Sequence, residues 1–313
     1  PGDSDGAQRK DPGDSDTESG KDQRRTERFP VLTGETDKQE IKGKHMDRKA
    51  VFFDADGTLY DIQKGVPDSA REAVARLREK GHLAFLCTGR SRSFVLDELE
   101  SMRFDGIIAA CGTYLEQNGT RLFSKEPDPE TAWKSVEILR AHGMVPVMEG
   151  PDYMYFDKEE YTKEVDWFAD LVERQLGDRY RPIHGNERSM KINKISAKVR
   201  PGSDPDEACR ELADWYDPIR HFEGMAGGTV ELVPKGFSKA VGIEAMCRIQ
   251  GIDWKDTVIF GDSNNDLSMF QYAAVKVAMG NAPEKIKGLA DYITDDMFHR
   301  GIENGLRGLG LLG

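Results

Sequence analysis

The alternation of short apolar strands with amphipathic helices constrains the fold of this 313-residue chain more than any other feature of its sequence. Val51-Phe52-Phe53 reads as a strand, residues 67–81 as a helix, and residues 82–87 as a second apolar strand. A strand, a helix and a further strand in this order are typical of a parallel sheet with right-handed crossovers. The alternation returns after residue 228. We therefore expect an α/β protein whose core is a doubly wound parallel sheet.

The stretch between residues 127 and 228 interrupts this alternation. Its amphipathic helices and alternating strands are typical of a compact antiparallel unit, which we interpret as a domain inserted into the first. The sequence thus predicts a core of residues 46–126 and 229–313, with an α+β insertion of residues 127–228. The predicted elements of the insertion are helices near 131–142 and 161–176 and strands near 145–148, 190–197 and 219–223.

Residues 1–45 contain charged, small and polar side chains with almost no large apolar groups. Such a segment cannot bury enough apolar surface to offset the conformational entropy lost on ordering. The sequence therefore predicts a disordered tail, with the folded part beginning near Met46.

Several short signals predict local structure. Ser69 and Glu72 are spaced as a capping box for the first helix, and Ser238 is expected to cap a later one. Asn118-Gly119 suits the type I′ turn of a hairpin. The remaining local expectations are a helix carrying Phe94, Val95, Leu99 and Met102, and a core strand at residues 229–233.

The composition excludes several classes of function. A net charge of -12 argues against a protein that binds nucleic acid or an anionic membrane. No apolar run approaches the ~20 residues of a membrane span, and the N-terminus has no apolar signal region, so we expect a cytoplasmic protein. The four cysteines include no CxxC pair, which makes a disulfide framework or a zinc site improbable. A small soluble substrate is the expected partner.

Two carboxylates end the first strand. Asp54 and Asp56 are two residues apart, so in an extended backbone both side chains point the same way, and Gly57 lets the chain turn. One interpretation is an ordinary acidic turn. The other is a site for a hard divalent cation such as Mg²⁺, which prefers oxygen ligands and relieves the repulsion between the carboxylates.

Polar residues also follow other strands, and the carboxyl ends of parallel strands are where α/β sheets bind ligands. Thr88-Gly89-Arg90 follows the second strand, and residues 261–266 follow a later one. Lys239 begins the helix after Ser238. Carboxylates, a hydroxyl and a lysine at one sheet edge suit phosphoryl transfer, because the cation and the lysine neutralise phosphate charge.

These segments resemble the four motifs of the haloacid dehalogenase superfamily. Their order, with about 100 residues between the second and third, resembles its Cof-type phosphatases, which have a Rossmann-like core and an α/β cap at that place. The matching segments are Asp54-Ala55-Asp56-Gly57-Thr58, Cys87-Thr88-Gly89-Arg90, Gly236-Phe237-Ser238-Lys239 and Gly261-Asp262-Ser263-Asn264-Asn265-Asp266.

The resemblance implies a role for each matching residue. Asp54 would be the nucleophile that forms an aspartyl-phosphate, and Asp56 the general acid and base. The implied phosphate-binding residues are Thr88, Gly89, Lys239 and Asn265. The implied Mg²⁺ ligands are Asp54, Asp56 through its backbone carbonyl, Asp262 and Asp266.

Less specific interpretations remain open for several of these residues. Thr88 could be a helix cap, and Asp262 and Asp266 could be a loop and a helix N-terminus favoured by the dipole. Arg90 is expected to be structural or at the rim of the crevice. Lys235 competes with Lys239 as the phosphate lysine, although a solvated hairpin charge is the simpler interpretation.

One position departs from the family pattern. Where Cof-type proteins typically carry Asn-Gly-Ala after the third strand, this chain has Cys111-Gly112-Thr113. The position usually borders the substrate, so its change predicts a different specificity. A reactive cysteine is the alternative, although nothing nearby in the sequence indicates a lowered thiol pKa.

The predicted function is a Mg²⁺-dependent phosphatase acting on a small phosphorylated metabolite, for example a sugar or polyol phosphate. A phosphomutase on the same site and a non-catalytic phosphometabolite-binding module are the alternatives, and the oligomeric state is unknown. The inserted cap would exclude bulk water from the site. Candidate specificity residues of the cap are Glu149, Tyr153, Lys191 and Asn193.

Overall fold

A computed structural model gives the structure of residues 48–160, 174–222 and 228–313. The predicted disordered tail and most of the predicted helix at 161–176 lie outside these ranges. The strands of the described residues, in chain order, are β1 Ala50–Phe53, β2 Leu83–Cys87, β3 Gly106–Ala109, β4 Tyr114–Gln117, β5 Thr120–Ser124, β6 Val145–Glu149, β7 Met154–Tyr155, β8 Tyr180–Arg181, β9 Lys194–Lys198, β10 Tyr216–Phe222, β11 Gly228–Pro234, β12 Thr257–Gly261, β13 Val275–Ala278 and β14 Tyr292–Ile293. Their α-helices are α1 Asp68–Glu79, α2 Asp97–Glu100, α3 Pro129–Ala141, α4 Pro205–Glu211, α5 Lys239–Gln250, α6 Leu267–Tyr272, α7 Glu284–Lys287 and α8 Gly301–Gly308.

The larger sheet has the strand order β14-β13-β12-β1-β2-β3-β4-β5. Pairing is parallel from β14 to β3, and β4 and β5 form an antiparallel hairpin at the edge. The central strands are apolar and buried, and the rings of Phe53 and Phe260 stack at 5.2 Å between β1 and β12. The predicted α/β core with its parallel sheet is confirmed.

The smaller sheet has the order β10-β11-β9-β6-β7-β8 and is antiparallel except between β7 and β8. Helices α3 and α4 cover one face, where Val136, Leu139 and Ala208 join a buried apolar cluster with strand residues. This α+β unit is the predicted insertion, and we call it the cap. Its exact boundaries remain predictions.

One strand lies in a different sheet from the one expected. Residues 229–233 were expected in the core, but β11 pairs antiparallel with β10 and β9 in the cap. The pattern Thr229-Val230-Glu231-Leu232 alternates between half-buried and buried side chains, and such alternation is typical of an antiparallel strand with one face on a core. The cap therefore includes β11, which leads through a short turn to α5.

Two local predictions were wrong. Helix α1 begins at Asp68 after Pro67, and no side chain caps it, so Ser69 and Glu72 form no capping box. The helix expected through Phe94 and Met102 is interrupted at Val95. There the backbone carbonyls of Phe94 and Val95 accept hydrogen bonds from the side chains of Arg90 and Arg179, respectively, and not from a following helical turn.

Two other local predictions are confirmed. The Ser238 hydroxyl accepts from the backbone N–H of Val241 and caps α5. Asn118 and Gly119 both have positive φ in the β4–β5 hairpin, as a type I′ turn requires. Among the described residues, none of the helices has the length and apolarity to cross a membrane.

Gly112 sets how closely α5 approaches the end of β3. Its φ is +88°, and a Cβ there would lie 2.3 Å from the carbonyl oxygen of Ser238. Gly119 has a similar φ of +75° but open space around it.

We expect Gly119→Ala to lower the free energy of unfolding by about 1–2 kcal/mol through backbone strain alone. Gly112→Ala should cost roughly 1–3 kcal/mol more, because the helix must also move away from the added methyl group. Urea unfolding of both variants measures the difference. Equal losses would contradict a rigid contact between Gly112 and α5.

Candidate active site

The predicted site residues come from neighbouring elements of the larger sheet. Asp54 follows β1, Thr88 follows β2 and Asp262 follows β12, and these three strands are adjacent and parallel. Lys239 is the first residue of α5. Because parallel strands end at one edge of a sheet, side chains that are far apart in sequence meet there.

Lys239 lies at the centre of this edge. Its ammonium group donates to Asp54 Oδ1 at 2.6 Å, Asp266 Oδ1 at 2.6 Å and Asn265 Oδ1 at 3.0 Å. All three of its donor positions are therefore used. Lys239, Asp54 and Asp266 are each at most 2% exposed. The structure thus places a buried cation between two buried carboxylates.

Burial and neighbouring charges together shift the pKa values of these groups. Desolvation raises the pKa of Asp54 well above its usual range, the Asp266 carboxylate raises it further, and Lys239 opposes both. Burial alone would lower the pKa of Lys239, but Asp266 and Asp54 raise it instead. The lysine therefore stays charged, and the site has more negative charge than one lysine can neutralise.

Asp262 completes the acidic group. Thr58 Oγ1 donates to its Oδ1 at 2.9 Å, and Asn281 Nδ2 lies 3.3 Å from its Oδ2. Burial, followed by repulsion from Asp266, raises the pKa of Asp262 to about 7. The backbone N–H groups of Asp262 and Ser263 donate to Asp266 Oδ2, each at 2.9 Å.

These residues fit a hard divalent cation. Carboxylate oxygens of Asp54, Asp262 and Asp266 lie within 4.8 Å of one another, and oxygen is the ligand such ions prefer. A cation there would relieve the repulsion that raises the pKa values of Asp54 and Asp262. Both oxygens of Asp266 accept from the charged Lys239 or from backbone N–H groups, whereas those of Asp262 accept from the neutral side chains of Thr58 and Asn281, which can rotate away. Asp54 and Asp262 are thus the better-placed ligands, with Asp266 orienting the loop and Lys239.

The Asp56 carboxylate is held beside this group by an arginine. It is 52% exposed and pairs with Arg90, which donates from Nε at 2.8 Å and from Nη2 at 2.6 Å. The guanidinium of Arg90 is buried over the rings of Tyr60 and Phe94, at 4.7 and 4.4 Å. The shared direction expected for Asp54 and Asp56 stays a prediction, although β1 ends at Phe53 and the chain bends at Ala55.

Arg90 has a contact with Asp56 that its sequence pattern did not predict. Burial alone would lower the pKa of Arg90, yet the Asp56 carboxylate raises it, so the guanidinium stays charged. Its position directly after Thr88-Gly89 at a strand end was a usable signal. The pairing with Asp56 could not be predicted from the sequence, because the two residues are 34 positions apart.

Thr88 and Gly89 lie where β2 ends. Thr88 is fully buried and its hydroxyl accepts from the backbone N–H of Arg90, so it closes a local turn and caps no helix. A Cβ on Gly89 would lie 3.0 Å from Asn265 Nδ2. The Asn265 amide thus faces the backbone of Gly89, while its carbonyl oxygen accepts from Lys239 and Ser263.

The structure distinguishes the two lysines that were candidates for binding phosphate. Lys235 lies on the cap side of the turn before α5, where its ammonium group donates to the carbonyl of Ala213 at 2.7 Å and is exposed. Lys239, in contrast, contacts both Asp54 and Asp266. Of the two, only Lys239 is placed at the acidic group.

Cys111 lies between the site and the cap. It is 1% exposed, has a φ of 54°, and its Sγ lies 3.9 Å from Glu231 Oε2. Burial, followed by the Glu231 carboxylate, raises the pKa of the thiol to about 12. The position borders the site as expected, but its surroundings oppose the thiolate form that a nucleophile needs.

We expect Cys111 to react with iodoacetamide at pH 7.5 at least about 100-fold more slowly than in the unfolded chain, because few thiols are ionised so far below the pKa. Cys209, which is only partly buried, should react first. Peptide mapping by mass spectrometry at increasing times measures both rates. Rapid labelling of Cys111 in the native protein would contradict the raised pKa.

Comparisons with known proteins were made for sequence and for structure. The chain matches a family model described as haloacid dehalogenase-like hydrolase over residues 51–306. YkrA of Bacillus subtilis (strain 168), whose name gives it as a candidate phosphatase, is 31% identical over 268 residues, covering 85% of this chain and 100% of YkrA. The pyridoxal phosphate phosphatase YbhA of Escherichia coli (strain K12) is 25% identical, covering 80% of this chain and 94% of YbhA.

Solved structures show the same fold. A hypothetical protein from Geobacillus kaustophilus HTA426 is 30% identical with a TM-score of 0.70, covering 84% of this chain and 99% of that one. The subclass IIB sugar phosphatase BT4131 superimposes with a TM-score of 0.68 at 23% identity, with the same coverage. The match over residues 51–306 and the identity with YkrA show that this chain belongs to the haloacid dehalogenase-like hydrolases, as its four motifs predicted.

Proposed function

We propose that the protein is a Mg²⁺-dependent phosphatase that hydrolyses small phosphorylated metabolites through an aspartyl-phosphate at Asp54. The observation that carries the proposal is the buried contact of Lys239 with Asp54 and Asp266 beside a third carboxylate, Asp262. Such a site offers a nucleophile, a cation for phosphate oxygens and ligands for a metal ion. Named phosphatases among the relatives, including YbhA, support the reaction class.

Asp54 is suited to attack phosphorus. Its Oδ1 is held by Lys239, which leaves Oδ2 to form the bond to phosphorus while the ester bond to the leaving oxygen breaks. A second displacement by water then releases inorganic phosphate and regenerates the carboxylate. The Thr88 hydroxyl and the Asn265 amide would donate to the phosphoryl oxygens during both steps, and Lys239 would bind them by exchanging one of its three present acceptors for a phosphoryl oxygen.

Asp56 would transfer the protons. Its carboxylate is half-exposed at the mouth of the site, where a leaving alcohol would stand. As the ester bond breaks, Asp56 would give a proton to the alkoxide, and it would later take one from the attacking water. Arg90 would set the direction of the carboxylate. Arg90 is thus proposed as a positioning residue for Asp56.

Asp54 and Asp262 would hold the metal ion, with the Asp56 carbonyl as a further proposed ligand. When bound, Mg²⁺ supplies positive charge that offsets the charge of the phosphoryl group and of the carboxylates. The excess of negative charge at the site supports this assignment.

A phosphate-release assay with p-nitrophenyl phosphate and a panel of phosphorylated sugars and polyols tests the proposal, with Mg²⁺ and with EDTA. We expect release with Mg²⁺ and its loss with EDTA. Asp54→Asn should lower kcat by at least about 1,000-fold, since it removes the nucleophile. Asp68→Asn, at the exposed start of α1, is the matched control and should keep the activity.

Activity of Asp54→Asn at the level of the parent protein would overturn the nucleophile assignment. Absence of phosphate release from every compound of the panel would overturn the phosphatase itself. Conversion of a sugar phosphate into an isomer without free phosphate would instead indicate a phosphomutase.

Arg90→Lys tests the positioning of Asp56. Lysine keeps the charge but loses the two-point pairing and the contact with the rings, so Asp56 should be misaligned. We expect kcat to fall about 10- to 100-fold with little change in KM. Arg92→Lys, which alters a nearby arginine paired with Glu100 and Glu116, is the control. An unchanged kcat in Arg90→Lys would show that the pairing is not needed.

A further inference from the structure

The cap brings one carboxylate to the catalytic edge of the larger sheet. Glu231 lies in the middle of β11, and its Oε2 would be 3.8 Å from a Cβ placed on Gly89. The same Cβ position on Gly89 would be 3.0 Å from Asn265 Nδ2 and 3.6 Å from Cys111 Sγ. Glu231 therefore reaches the residues proposed to bind phosphate, although it belongs to the other sheet.

Lys194 holds this carboxylate in place. Its ammonium group lies 3.0 Å from Glu231 Oε1 and 3.4 Å from Glu149 Oε1, and Lys194 is 2% exposed. Glu149 is fixed in turn by Ser196 Oγ at 2.5 Å and by the backbone N–H of Ser91 at 3.3 Å. Two carboxylates thus share one buried lysine.

The charge of Glu231 is stable at neutral pH. Burial alone would raise the pKa of Glu231, but Lys194 and His221 lower it to about 2. At the pH of any ordinary assay the side chain is therefore a carboxylate.

Two atoms of this group have unused hydrogen-bonding capacity. Among the described residues, Glu231 Oε2 is reached by the Cys111 thiol at 3.9 Å, a weak donor. His221 Nε2 lies 3.7 Å from Glu231 Oε1 and is buried, with no hydrogen-bond partner in the described part of the chain. Buried polar atoms without a partner are rare in folded proteins, and a ligand can satisfy them.

We propose that Glu231 is a specificity residue that accepts a hydrogen bond from a hydroxyl or ammonium group on the leaving group of the substrate. The proposal rests on the phosphatase function assigned above. The same carboxylate disfavours leaving groups with a carboxylate or a second phosphate near the ester, because like charges repel strongly in a buried site. The preferred substrates are therefore monophosphates of polyols, sugars or amino sugars.

Glycerol 3-phosphate and 3-phosphoglycerate form a suitable pair of probes, because they differ by a hydroxymethyl group in place of a carboxylate. Their inhibition constants against hydrolysis of p-nitrophenyl phosphate with Mg²⁺ report binding even if neither is turned over. We expect the parent protein to bind glycerol 3-phosphate more tightly. Glu231→Gln should reduce this preference by about tenfold or more, since it removes the charge and keeps the shape.

Two further variants serve as controls. Glu231→Asp keeps the charge and should retain the preference for glycerol 3-phosphate. Glu130→Gln removes an exposed carboxylate at the start of α3 and should leave the ratio of the two inhibition constants unchanged. Thermal unfolding of each variant verifies that it is folded.

The outcomes separate this inference from the proposed function. A parent protein that releases phosphate from neither p-nitrophenyl phosphate nor any other compound of the panel would contradict the phosphatase and this proposal with it. Hydrolysis without discrimination between the two probes, or with the same ratio in Glu231→Gln, would overturn the role of Glu231 alone.

Discussion

The contact of the Lys239 ammonium group with Asp54 and Asp266 is the interaction on which the candidate site depends. Three charged groups are removed from water there, which is costly unless each finds a partner in good geometry. The loss of one partner from such a buried pair typically costs about 3–5 kcal/mol. Asp54 comes from β1, Lys239 from α5 and Asp266 from the loop after β12, so the interaction ties three elements together.

The surrounding backbone is arranged so that this contact can form. Ser238 caps α5 one residue before Lys239, which fixes where the lysine leaves the helix. Gly112 allows α5 to approach the end of β3. Asp266 accepts from the backbone of its own loop with one oxygen and from Lys239 with the other. The position of the lysine is thus determined by local backbone geometry as well as by charge.

Much of the core could be predicted because its signals are local. Apolar strands followed by polar residues predicted the edge at which Asp54, Thr88 and Asp262 meet, and a parallel sheet brings such ends together whatever lies between them. Arg90 and Glu231 could not be assigned in the same way. Their importance comes from partners that are distant in sequence, and Glu231 also lies on a strand that was expected in the other sheet.

Two of the four candidate specificity residues in the cap make contacts within the protein that could not be predicted from the sequence. Glu149 is occupied by Lys194 and Ser196, and the Asn193 amide donates to Ser124 and to the carbonyl of Lys125. Side-chain polarity on presumed strand ends indicates where polar groups lie, but burial and pairing decide which of them remain available to a ligand.

The path of the chain from β11 to α5 has a consequence for the modularity of this protein. Only eight positions separate Glu231 from Lys239, and the turn between them is anchored by the backbone N–H groups of Lys235 and Gly236, which donate to Trp215 and Asp217. The last strand of the cap and Lys239 are therefore parts of one continuous, anchored segment. Replacing the cap by another domain would therefore also require this segment to be transferred or redesigned. The unit that could be exchanged is larger than the sheet and helices that form the cap.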